Sequence, residues 1–179
     1  VLFYNCATTG YKKMSIEDPE TLLSIQDSLL IARASDQSII DALVNAHINV
    51  AEKYIIKGDN ASAADHFKSA SELNSFNNVS KYGLLISEGR ILVNRGNKNG
   101  IWDAIEKFSK ASTLYPGNGE PFYLMAISYT KLGDTDFDLI LESYEKALAL
   151  ELNDKQRAEA EKKYEKAKER KKKLDSFWK

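Results

Sequence analysis

Few side chains in this chain of 179 residues have the type and spacing for chemistry. His47 and His66 are the only histidines, and Asp65 stands next to the second. Two imidazoles and a carboxylate form a minimal zinc-binding set. Side chains meet on one helix face when they lie three or four residues apart, and these two histidines do not. His47 falls on a core position and His66 beside Phe67, so both read as structural. Cys6 is the only cysteine, which forbids an internal disulfide and a multi-cysteine metal site. No nucleophile sits in a recognisable elbow, and no glycine-rich phosphate loop follows a strand pattern. Residues 96–100 read as a turn between helices, and the many carboxylates lie scattered on solvated helices. The expectation is a noncatalytic protein with no cofactor and no metal.

The bulk numbers narrow the class further. Hydrophobic residues make up 43% and charged residues 28%, an ordinary globular balance. A net charge of −1 gives no global field for nucleic acid. No apolar run approaches the roughly 18 residues that span a membrane. Charge is nevertheless uneven. Residues 154–179 hold 11 Lys/Arg against 6 Asp/Glu, a net +5, on a preceding body of net −6.

The elements behind these residues are set by residues 44–77. Val50, Ala51 and Tyr54 share one helical face before the Gly58-Asp59 turn; Ala63, Phe67 and Ala70 share a face after it. Glycine ends the first helix because it accepts a left-handed conformation without a Cβ penalty. The pattern returns over residues 82–118, where Gly89, Leu92 and Gly96 precede Ala104, Phe108 and Ala111, and Pro116 closes the copy. It returns again over residues 119–153. There Phe122, Met125, Ala126 and Tyr129 form the first face, Gly133-Asp134 the turn, and Ile140, Tyr144 and Ala147 the second face. This phased pattern resembles the tetratricopeptide repeat (TPR) family, whose period is about 34 residues. Departures from the family pattern are His47 and Leu85 where an early aromatic is usual, and extra residues in the second and third turns. The resemblance implies an all-α fold: a right-handed helical-repeat array, or TPR-like α-solenoid, with capping helices at both ends.

The flanks divide as follows. Residues 1–17 show no sustained period and read as a tether, residues 18–153 as the repeat domain, and residues 154–179 as a basic C-terminal capping helix. Asp18 caps a helix opened by Pro19, with Leu22, Leu29 and Leu30 on its apolar side. The chain starts without Met, which suggests a processed chain or a fragment. Apolar residues before Cys6 resemble the end of a bacterial lipoprotein signal, so Cys6 is a candidate lipidation site and a bacterial cell envelope location is expected. Asn5, larger than the usual residue before such a cysteine, departs from that pattern. In the C-terminal helix Ala160, Tyr164, Ala167, Leu174 and Trp178 form one narrow stripe. Lys166 to Lys173 offers a second membrane or acidic-partner contact.

First helices of the TPR family line a groove, and the resemblance places the groove on residues just off the core stripe. These are Asn45, Ile48, Glu52 and Ile55 in the first copy; Ile86, Arg90, Val93 and Asn94 in the second; and Glu120, Tyr123, Ile127, Thr130 and Lys131 in the third. One subgroup grips a C-terminal carboxylate with lysine and asparagine. Here the matching places hold Ile48, Glu52, Ser87, Glu120 and Leu124, so that clamp is absent. The expected function is an adaptor or scaffold that binds a peptide or partner helix in the groove. Alternatives are a small-ligand-binding accessory lipoprotein of an envelope transport system, and a regulatory domain cut from an enzyme.

Overall fold

In a computed structural model the described residues are 2–33, 35–133 and 136–177, with side chains from Gly10 onward. They form α1 (Leu2–Glu17), α2 (Pro19–Ser24), α3 (Gln26–Arg33), α4 (Gln37–Lys57), α5 (Asn60–Leu73), α6 (Asn78–Arg95), α7 (Lys98–Leu114), α8 (Glu120–Leu132), α9 (Phe137–Ala149) and α10 (Asp154–Phe177). The helix pairs α4/α5, α6/α7 and α8/α9 overlap the three stretches expected to hold repeat copies. Helix starts are fixed locally. The side chains of Asp18, Asp36, Asp59, Asn97 and Asp136 each accept a backbone N–H two or three residues on. Each such cap is worth about 1 kcal/mol. Gly58 closes α4 at φ 79, in the left-handed region.

Two compact units divide the chain, Val1–Ser87 and Glu88–Lys179. In the first unit, Leu22, Leu29, Ile39 and Leu43 form one core cluster, with Tyr11 and Met14 of α1 against it. Val44, Ile48, Ala51, Phe67 and Ala70 form a second cluster, and Leu84 of α6 packs on it. The Phe67 ring lies where a Cβ on Gly83 would stand, so that glycine is required by the close approach. Leu2–Glu17 are therefore not a tether. They lie in a helix that packs on α4, with Ser15 buried and its carbonyl accepting from Asn49 Nδ2 at 2.8 Å. The sequence hid this because, among the described side chains of α1, the inner face is Tyr11, Met14 and a small serine. Tertiary packing, not an obvious apolar stripe, holds such a helix.

In the second unit, α7 to α10 pack in succession. Ala104, Phe108 and Ala111 of α7 are fully buried, as are Ile140, Tyr144 and Ala147 of α9. Gly89 lets the Phe108 ring lie against its backbone. The ends of the third hairpin are clasped together: Gly119 N–H donates to Glu151 O at 2.8 Å, and Glu151 N–H to Gly117 O at 3.0 Å. Arg157 then caps the end of α9, its guanidinium donating to Leu148 O and Leu150 O, each at 2.9 Å. The Asn153 side chain caps α10 through Gln156 N–H. Ala160 and Ala167 bury the inner stripe of α10, while Leu174 stays 42% exposed. Trp178 lies outside the described residues.

Candidate functional site

The residues expected to line a groove are distributed between the units. In the first, Asn45 and Glu52 are exposed on α4, and Ile55 is half-buried. Ile48 is buried and packs with Phe67 in the α4–α5 core, and Ile86 is buried on α6. In the second, Arg90 and Glu120 are brought together, Nη2 to Oε1 at 2.5 Å, and Gln156 Nε2 donates to the same oxygen at 3.0 Å. Val93 is buried, and its carbonyl accepts from Lys131 Nζ at 3.1 Å. Asn94 and Thr130 are exposed, and Ile127 is half-buried. Tyr123 is buried; burial and then its hydrogen bond with Glu159 of α10 hold its phenol above the usual range.

Ile48, Ile86, Val93 and Tyr123 are thus core rather than open lining. The physical reason is the width of the buried face. A helix in a stacked array has neighbours on more than one side, so residues just off one apolar stripe are covered by the next element.

Three of the expected positions do meet at an opening. Ile127, Thr130 and Lys131 of α8 line a cavity of about 250 Å³ with residues of α9 and α10. Its apolar wall is completed by Phe137, Ile140 and Tyr144, and by Ala167. Its rim carries Lys131, Lys163, Lys166 and Arg170, and no carboxylate is among its lining residues. The α10 cations recur at i, i+3 and i+7, one helix face with a span of about 10 Å. Lys163 also pairs with Glu159 at 2.6 Å and lies over the Tyr123 ring. The Tyr144 hydroxyl is buried without a well-formed hydrogen bond, and burial pushes its pKa up to about 12. The neighbouring Thr130 hydroxyl eases that value back, but donates its own proton to Ala126 O at 2.8 Å. The sequence pattern puts Ile140, Tyr144 and Ala167 in the packing stripes and Lys166 in a basic stretch offered as a membrane or acidic-partner contact. The cavity arises because those faces meet around one opening.

The histidines pair with each other. His47 Nδ1 and His66 Nδ1 are 2.9 Å apart, and His47 Nε2 is 2.8 Å from Gln26 Oε1. With Gln26 Oε1 as acceptor, His47 donates from Nε2 and accepts at Nδ1 the proton of His66. That requires a neutral His47. Burial, with the His66 charge second, lowers its pKa to about 4. His66 is lowered too, chiefly by burial, and stacks on Tyr54. Among the described residues no cluster of three His, Cys, Asp or Glu could hold a metal ion. Cys6 falls within α1, but its side chain lies outside the described residues.

No family model matches the chain, and no curated protein matches it. Among solved structures, the crystal structure of the P58(IPK) TPR domain is similar, at a TM-score of 0.55 and 19% identity. The likeness covers 92% of this chain and 47% of that one, so this chain spans about half that structure's length. The fold is a TPR-type helical-repeat array. In TPR terms the cavity joins a first helix (α8), its own second helix (α9) and the following helix (α10).

Proposed function

We propose that this protein is a noncatalytic adaptor that binds a peptide or partner helix on its first-helix faces. The observation behind this reading is that a first helix of the array, α8, opens on a cavity with an apolar wall and a polar mouth. Such a surface suits a segment that lays apolar side chains inward and keeps its backbone outward. Site-specific photo-crosslinkers at the exposed positions Glu52, Asn94 and Thr130 test this in cells. They should capture one recurrent protein, while crosslinkers at Lys68 of α5 and Lys110 of α7 should not. Capture through Lys68 and Lys110 alone, or no recurrent partner, would move binding off the first helices.

The same cavity supports a second reading, a small-ligand-binding accessory protein. A space of about 250 Å³ exceeds the roughly 150 Å³ cavity that admits benzene. An endogenous molecule retained in native mass spectra would favour this alternative.

A further inference from the structure

We infer that the cavity between α8, α9 and α10 receives an acidic segment of a protein partner, with one large apolar side chain seated inside and carboxylates on the α10 row. This rests on the adaptor reading and names the chemistry of the partner. The apolar wall is Ile127, Phe137, Ile140 and Tyr144, which favours a buried hydrocarbon or aromatic group. The mouth is lined by cations with no carboxylate in the lining. Lys163 already shares its charge with Glu159, and Lys131 is held by Val93 O. These contacts engage both ammonium groups from outside the cavity lining, and Arg170 also has a partner within the chain. They also leave room for further acceptors, because an ammonium has three donors.

The row decides between a segment and a single small anion. Lys163, Lys166 and Arg170 stretch along about 10 Å of helix. One carboxylate spans only a fraction of that distance. Carboxylates every second residue of an extended strand repeat at about 6.6 Å, and on a helix at i and i+4 at about 6 Å. Either spacing is close to the rise of about 6 Å from Lys166 to Arg170. The body of the chain is acidic outside α10, so an acidic partner is also steered to this helix rather than elsewhere.

The test uses the full chain and a fluorescein-labelled peptide with glutamates on both sides of a central phenylalanine. Two companions carry glutamines for the glutamates, or serine for the phenylalanine. Fluorescence anisotropy should show the parent peptide binding about tenfold more tightly than either companion, weakening as salt rises. Lys166→Glu with Arg170→Glu should cost at least about tenfold. Lys168→Glu with Lys172→Glu makes the same change in net charge on the side of α10 away from the cavity row, and should cost less than about threefold. Circular dichroism of both doubles checks that α10 remains folded.

Equal losses in the two doubles, or equal binding of the glutamine peptide, would overturn the inference in favour of a general cation effect. Decanoate or anionic vesicles binding in place of the peptide would overturn it in favour of a small amphiphile or a membrane. If no peptide binds while photo-crosslinking at the first helices still captures one recurrent protein, the acidic-segment inference fails and the adaptor reading stands. If both fail, the adaptor reading goes with it.

Discussion

The two ends of the array solve the same problem with different side chains. Each must cover a repeat hairpin that has no neighbour of its own kind beyond it. In the first unit α1 and α2 lie on α4, and the cover is filled by Leu22 and Leu29 with Tyr11 and Met14 against them. In the second unit α10 lies on α9 and α8, and its buried stripe is Ala160 and Ala167. Large cap residues turn the covered face into core; alanines leave a cavity, lined here by cations. The early position of the first helix differs in the same sense. His47 is buried in a hydrogen-bonded chain, whereas Phe122 is half-buried with Lys146 over its ring. Side-chain volume in the cap therefore decides whether the covered face is filled core or leaves a cavity.

The largest effect should come from emptying the filled cap. Leu22 is fully buried, and Leu22→Ala should cost about 2–5 kcal/mol, seen as faster native-state hydrogen exchange in α4. Leu174→Ala in the other cap should change stability by less than about 0.5 kcal/mol. A small loss at Leu22 would mean that the N-terminal helices do not act as a cap.

Acid should weaken the first unit through its histidines. His47 titrates near its usual 6.5 when unfolded and only at about 4 when folded, so below 6.5 the unfolded chain binds more protons. Stability falls as pH drops from about 6.5 through about 4, and the loss levels off only below that. Between pH 7.5 and 4.5 the expected loss is about 2–3 kcal/mol. His47→Phe should remove most of that slope in paired urea titrations. An unchanged slope would place the acid sensitivity in the carboxylates.

A smaller effect is expected for the charged contact of the second unit. Arg90 and Glu120 are mostly buried, so Glu120→Ala should cost about 1–3 kcal/mol, and Glu120→Gln less. A cost within error for Glu120→Ala would show that water reaches Arg90 freely. The smallest effect belongs to Tyr144→Phe. It removes a buried hydroxyl with no well-formed partner, and thermal unfolding should move by less than about 0.5 kcal/mol.

Helix stops, caps and close contacts were legible because they rest on local rules. Gly58 stops a helix, and Asp59 and Asn97 start the next ones. Phe67 and Phe108 need small partners, which Ala51, Gly83 and Gly89 provide. What could not be read depends on how helices meet. Helix α1 has little apolar stripe and is held by contacts with residues more than thirty positions away, such as Ser15 with Asn49. Ile48 and Tyr123 looked like open lining until neighbouring helices covered them. Ile127, Thr130 and Lys131 were legible as lining, but the cavity also needed Phe137, Ile140, Tyr144 and Ala167, whose patterns in α9 and α10 look like packing.

The contrast between a filled and an open cap is tested most directly by methyl NMR of the full chain, titrated with the glutamate–phenylalanine peptide. Shifts are expected at Ile127, Ile140 and Ala167, with Leu22, Ile39 and Leu43 unmoved. Shifts centred on the first unit, or none at Ile127 and Ala167 while the peptide binds, would contradict it.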